Sequence, residues 1–293
     1  MGIGRLFGVR IRLHPLFLAL LALLGAGGLL EETLILFGVV FLHELAHVVV
    51  ALACGLKVRE VELLPFGGVA RVDDLVELEP AVEAAVAVAG PLTNAFLYVI
   101  ALAVAPHAPF AKEHVELFLQ ANLGIGLFNL LPALPLDGGR ILRAALVQRI
   151  GFRRATDLAV GLGKLWAVLL GAVGAYLLYQ SHANVSVLVV AFFLYVAAGR
   201  EQATAAYVFL RYLTRKQWEL ERSRCLPAQP VVVLEKTRLK EVLDGFMPRR
   251  YHLVWVLDEA GRLKGVATER EIIDALFRSG MDTPVGAIAR SLT

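Results

Sequence analysis

The chain has 293 residues, 58% of them hydrophobic and only 19% charged, with a formal net charge of +3 and a mean hydropathy of +0.67. So apolar a composition exceeds what a soluble domain needs to fill its core, which excludes an ordinary water-soluble protein and points to an integral membrane protein. The slight positive balance sits mainly in the connections between apolar runs, so it argues for a lipid bilayer and against a nucleic-acid partner.

In chain order, Arg5, Arg10 and Arg12 lead into a first apolar run at 13–30. Neither a small-residue cleavage site nor a polar mature chain follows it, so it reads as an anchor and not as a removable signal. The second run, 33–55, is TLILFGVVFLHELAHVVVALACG, with His43, Glu44 and His47 in its middle. An ionisable group at that depth costs about 3 kcal/mol even on a lenient insertion scale, so three together suggest a function. On a helix, residues four apart share a face, which lets the two imidazoles chelate one Zn²⁺ while Glu44 stands beside them as a candidate base. Histidines that merely bond to a neighbouring helix are the bland alternative. By ordinary residue frequencies roughly one chain of this length in a hundred carries HExxH by chance, and fewer carry it inside an apolar run.

Further runs at 80–106, 116–136, 157–180 and 184–199 bring the expected spans to about six. The fourth is interrupted near its end by Asn129, Pro132 and Pro135. Lys and Arg set the orientation. They precede the first run and follow the second (Lys57, Arg59, Arg71), the fourth (Arg140, Arg143, Arg149, Arg153, Arg154) and the sixth (Arg200, Arg211, Arg215, Lys216). The expectation is a multi-pass protein of the cell membrane with both termini cytoplasmic. Cys54 and Cys225 then both lie on the reducing side, so no disulfide is expected, and with no second Cys or Cys-x-x-Cys near His43 a thiolate metal site is not expected either.

A catalytic zinc takes three protein ligands and leaves one position for water. His107, His114 and His182 fall by the outer connections, while His14 and Glu83 lie near cytoplasmic span ends and stay open as the third ligand. The strongest candidate is Asp137 in NLLPALPLDGGR. Counted from Thr33 at the outer edge, His47 lies about 20 Å inward, which places the metal in the cytoplasmic half of the bilayer. Asp137 precedes Arg140 on that side, and the prolines with Gly138 and Gly139 break the helix, freeing the chain to turn a carboxylate to the metal. Irregular backbone at membrane depth is tolerated only where protein or a water-filled cavity satisfies it. A plain helix stop before a basic loop is the competing reading.

These residues resemble the site-2 proteases, intramembrane zinc metalloproteases. HELAH matches their HExxH helix, and FNLLPALPLDGGR resembles their NxxPxxPxDG segment. The resemblance implies His43, His47 and Asp137 on zinc and Glu44 as the catalytic base. It covers roughly residues 1 to 200 and takes in AGPLTN (89–94) and LPFGGVAR (64–71), the latter as a membrane-dipping hairpin. With no long insert for a PDZ domain, the chain looks more like the sporulation branch than the periplasmic-stress branch. A substrate helix must unwind to be cut, so Asn129 and Asn94 are expected to bond its freed backbone and Gly67 and Gly68 to offer it a strand edge. Interhelical packing for the asparagines and a plain turn for the glycines are equal alternatives.

After residue 199 the composition changes. Residues 200–222, with YVFLRYLTRKQWEL mixing aromatics and bases, read as a linker helix at the membrane surface. Beyond them VVVL, YHLVWVLD and RLKGVAT read as strands, and TRLKEVLDGF and EREIIDALFRS as helices, giving a small cytoplasmic α/β domain at 223–293. Its V-x-D-x-x-G-x-L-x-G-x-x-T pattern, followed by a helix, resembles a CBS domain. That resemblance implies ATP or another adenine nucleotide as ligand, with Thr268 supplying a hydroxyl and Glu271 standing where an Asp usually binds ribose. Because one copy is present, it also implies pairing between protomers into a homo-oligomer. A structural or dimerising module without ligand is the alternative.

The expected protein is therefore a mainly α-helical polytopic membrane protein with a small CBS-like domain. It divides into a transmembrane metalloprotease domain at 1–199, a linker helix at 200–222 and the CBS-like domain at 223–293. Its expected reaction is hydrolysis, near the cytoplasmic face, of a peptide bond in a membrane-associated protein such as a sigma-factor precursor. Nucleotide regulation and an inhibitory membrane partner complete the expectation. The alternative from another class is a CBS-regulated transporter or channel whose intramembrane acids and histidines line an ion path. Such a protein needs neither a Glu directly after His43 nor a distant Asp at matching depth.

Overall fold

Val9, Ile11 and Leu13 alternate with Arg10 and Arg12, the period of a strand. The computed structural model bears out that signal, which the expectation of a merely basic lead-in overlooked. It describes residues 2–6, 9–13, 15–64, 67–72, 79–107, 111–180, 185–246 and 250–290. These fall into two units, 1–144 with 159–198 and 145–158 with 199–293.

In the first unit, β1 (Gly2–Leu6) and β2 (Val9–Leu13) form an antiparallel pair, and β2 runs parallel to β3 (Val58–Leu64). β3 pairs antiparallel with β4 (Gly67–Val72), so the sheet order is β1-β2-β3-β4. The Arg12 guanidinium donates to Glu60 at 3.2 Å. Gly67 and Gly68 lie opposite Leu64 and Leu63, while Pro65 and Phe66 lie outside the described residues.

α1 (Pro15–Ala26) has 12 residues, a length of roughly 18 Å that falls short of a hydrocarbon core of roughly 30 Å. Leu13 belongs to β2, and Gly28 at φ +82° turns the chain into α2 (Leu30–Ala53). α3 (Pro80–Val104) opens with a proline, which needs no hydrogen-bond partner at a helix start. α4 (Lys112–Asn129) has Lys112, Glu113 and His114 in its first turn and ends at Asn129 rather than at 136, because Pro132 and Pro135 follow. α5 (Asp137–Ile150), α6 (Phe152–Tyr179) and the 38-residue α7 (Ser186–Ser223) complete the helices before the second sheet.

Among the described residues, four segments are long and apolar enough to cross a bilayer: Leu30–Ala53, Pro80–His107, Phe152–Tyr179 and Ser186–Ala205. α1 and α4 are shorter, a correction to the run lengths read at 13–30 and 116–136. The stretch at 200–222 continues the last span without a break. Phe96, Val99 and Phe192 project from these helices, an apolar surface suited to lipid. α3 packs along both α2 and α4. Its buried Ala87, Ala89 and Gly90 let the backbones approach closely.

The second unit carries β5 (Ala228–Leu234), α8 (Leu239–Asp244), β6 (Tyr251–Leu257), β7 (Leu263–Thr268) and α9 (Glu269–Ser279). β6 lies between β5, to which it is parallel, and β7, to which it is antiparallel. Val254, Val256, Ala267, Leu239, Ile272 and Val285 are fully buried and form its core. Asp258 makes the β6–β7 turn by accepting the backbone N–H groups of Arg262 at 2.8 Å and Ala260 at 2.9 Å. These bonds, with the Arg262 charge, hold its carboxyl below the usual carboxylate range.

Candidate metal centre

HELAH lies within α2, where the helix satisfies its own backbone and leaves side chains to choose the interior. His43 is buried, with 3% of its surface exposed. The Nε2 atoms of His43 and His47 are 3.1 Å apart. Asp137 Oδ2 lies 3.1 Å from the first and 3.3 Å from the second. A tetrahedral ion with ligand bonds of about 2.0–2.1 Å separates its ligands by roughly 3.3 Å, so this triangle suits zinc. Glu44 follows His43 on the same helix and is partly buried.

The outer nitrogens of both rings are also engaged. His47 Nδ1 donates to the Val86 carbonyl at 2.7 Å; a carbonyl can only accept, so Nε2 carries the lone pair. His43 Nδ1 lies 2.5 Å from Asn94 Oδ1. Two ring lone pairs and a carboxylate oxygen then converge on one point, an arrangement that repels itself unless a cation lies between them. Gly90 leaves that point open. A Cβ placed on Gly90 would sit 2.5 Å from the Nε2 of both histidines. The residues present thus fit a divalent ion.

Asp137 is delivered by the irregular segment 130–136 and the start of α5. Leu134 N–H donates to Ala159 O at 3.1 Å, and the buried Ala133 and Leu136 pack with Ala167 of α6 and Leu194 of α7. A Cβ on Gly138 would fall 2.2 Å from Leu130 O and one on Gly139 2.3 Å from the backbone of Ala133. Only glycine lets α5 begin against its own approach segment. Farther along α5, Arg143 Nε donates to Glu83 Oε1 of α3 at 2.9 Å, with a second bond from Nη2. Both side chains are buried, at 1% and 4% exposure. Removing one partner of a buried ion pair strands the other charge. Arg143→Met should therefore destabilise the protein by about 3–5 kcal/mol, and Glu83→Leu/Arg143→Met should recover most of that loss, as read by denaturant unfolding in detergent.

Glu83, an open alternative for the third ligand, is thus paired with Arg143, and His14 lies outside the described residues. Asn94 is buried behind His43, and its Nδ2 donates to Asn122 at 3.2 Å. Asn129 donates to its own helix at Ile125 O, 3.0 Å away. Gly67 and Gly68 stand on β4, the last strand of its sheet. In the second unit Thr268 caps α9. Its backbone N–H and hydroxyl both donate to Glu271 Oε2 at 2.9 Å, and Glu271 N–H donates back to the hydroxyl at 3.3 Å. Arg290 also lies 2.5 Å from Glu271.

The model for peptidase family M50 matches residues 32–114 and 108–170, and that for the CBS domain matches residues 226–278. The solved structure of a site-2 protease from Methanocaldococcus jannaschii has 31% identity and a TM-score of 0.55, covering 69% of this chain and 94% of that one. The chain belongs to the site-2 proteases, peptidase family M50. Rip3 of Mycobacterium tuberculosis is 32% identical over 281 residues, 92% of this chain and 68% of Rip3. Stage IV sporulation protein FB of Bacillus subtilis is 29% identical over 274 residues, 92% of each chain. This site-2 protease is accordingly a multi-pass zinc metalloprotease of the membrane, carrying a CBS domain.

Sequence reasoning missed Gly90, the Glu83–Arg143 pair and Asn122 in this site-2 protease. The first had a signal. Val86, Gly90 and Asn94 recur every fourth residue on α3, and each faces an imidazole of α2.

Proposed function

We propose that this site-2 protease cuts a membrane-associated protein near the cytoplasmic face, with His43, His47 and Asp137 as zinc ligands and Glu44 as general base. The convergence of the three ligand atoms within 4.8 Å, from residues 94 positions apart in sequence, carries the reading. A zinc ion held by His43, His47 and Asp137 would supply Lewis acidity to the scissile carbonyl and to a water molecule, whose pKa would fall to about 7. Glu44 takes the proton of the attacking water and hands it to the leaving amine, which splits the amide without free acid or base. His47 keeps its Nε2 lone pair toward the metal through its bond to Val86 O. The β4 edge at Gly67 and Gly68 pairs with an unwound substrate strand, and Asn129 takes a freed backbone group; Asn94 serves the metal side of the site instead.

The chain is arranged as protease 1–199, linker 200–222 and CBS domain 223–293, with the basic connections and both termini cytoplasmic. A membrane-tethered sigma-factor precursor is the proposed substrate, supported by the similarity to stage IV sporulation protein FB over 92% of each chain. An inhibitory membrane partner and CBS pairing between protomers belong to the same proposal. Adenine nucleotide would act at the CBS domain by competing with the Thr268–Glu271 capping box for its hydroxyl.

Purified full-length protein should contain about one zinc per chain, lose cleavage of a reconstituted membrane-anchored substrate to a chelator, and regain it with Zn²⁺. Full activity without metal overturns the proposal. ATP that neither binds nor changes the rate removes the nucleotide part alone.

A further inference from the structure

Asn122, on α4, is hydrogen-bonded to neither imidazole, yet the hydrogen bonds leading to it decide which nitrogen of His43 holds the proton. Asn122 Nδ2 donates to the Phe118 carbonyl at 2.8 Å. A backbone carbonyl can only accept, which fixes the Asn122 amide with its oxygen turned away from Phe118. That oxygen accepts from Asn94 Nδ2 at 3.2 Å. The Asn94 amide is thereby fixed in turn, and its own oxygen faces His43 Nδ1 at 2.5 Å. The ring must donate from Nδ1, leaving the Nε2 lone pair aimed at Asp137 and His47. Both asparagines are 1% exposed, so water does not compete for these bonds.

We infer that Asn94 and Asn122 form an amide relay that sets the tautomer and ring orientation of His43, making Asn122 a positioning residue for the metal. His47 takes the same instruction directly from Val86 O, whereas His43 receives it through two side chains, Asn94 of α3 and Asn122 of α4. The inference rests on the zinc reading above. Groups that orient a metal-bound histidine typically change metal affinity by about 10–100-fold.

A double-mutant cycle on the full-length protein tests it, read as zinc affinity by chelator competition and as the visible spectrum of the Co²⁺-loaded form. Asn94→Leu should weaken zinc roughly 10–100-fold and Asn122→Leu roughly tenfold, each shifting the Co²⁺ bands. Asn94→Asp supplies an acceptor for Nδ1 that needs no relay, so it should retain zinc. In that background the second carboxylate oxygen gains nothing from the Asn122 oxygen it faces, so Asn122→Leu should not weaken zinc binding. A loss of equal size in both backgrounds, or none in either, overturns the relay in favour of plain packing. If Asn122→Leu does not fold, Asn122→Ala takes its place in the cycle with the same expected outcomes. Wild-type protein that binds no zinc overturns the metal reading itself, which keeps the two failures distinct.

Discussion

Glu44→Gln is expected to leave zinc content unchanged while cleavage of a membrane-anchored substrate falls by between about 10² and 10⁴-fold, the usual contribution of a general base. Gln has nearly the shape of Glu and keeps an oxygen that can accept from water, so helix packing and substrate access survive. It cannot take up a proton at neutral pH, so the attacking water stays intact and the leaving amine is not protonated. The metal triangle consists of His43, His47 and Asp137, and Glu44 contributes no ligand atom to it. The comparison therefore separates metal binding from proton transfer: one zinc per chain with no turnover supports the base assignment. Unchanged turnover by the Gln variant, with wild-type zinc content, would refute it.

Gly90→Ala is expected to abolish zinc binding although it adds only one methyl group and keeps a good helix former in α3. The new carbon would lie 2.5 Å from the Nε2 atoms of both His43 and His47, closer than any unstrained contact. The obstructing atoms are ring nitrogens pinned on their far sides by Asn94 and Val86, so neither ring can swing away without losing a hydrogen bond. Moving α3 instead would disturb its packing with both α2 and α4. Zinc stoichiometry near zero, with retained helical circular dichroism and a single gel-filtration peak, is the expected result. Normal zinc content in this variant would mean that α3 does not approach the histidines as described. Gly124 of α4, whose added Cβ meets nothing within 4 Å, provides the control, since Gly124→Ala should bind zinc normally.

Much of this architecture was legible because short-range chemistry encodes it. His43, Glu44 and His47 announce a metal by spacing alone, since a helix places residues four apart on one face whatever surrounds it. The apolar runs announce lipid, and the strands and helices of the CBS domain follow alternation and helical period closely, from VVVL to EREIIDALFRS. The β1–β2 pair was equally encoded in Val9, Ile11 and Leu13, but the arginines between them fit a basic lead-in to an apolar span just as well. Overestimated lengths for α1 and α4 have a similar origin: hydropathy averages over residues, whereas Gly28 and Pro132 act at single positions.

The sequence by itself determined the membrane setting and singled out His43, His47 and Asp137 as candidate metal ligands and Glu44 as the candidate base. Only the tertiary structure decided that Gly90 leaves room for an ion, that Arg143 is neutralised by Glu83, and that Asn94 faces His43 rather than open space. These depend on how α2, α3, α4 and α5 approach one another, and such an approach is set by packing summed over many weak contacts. No local spacing rule carries that information, because the partners lie 28 to 60 residues apart along the chain.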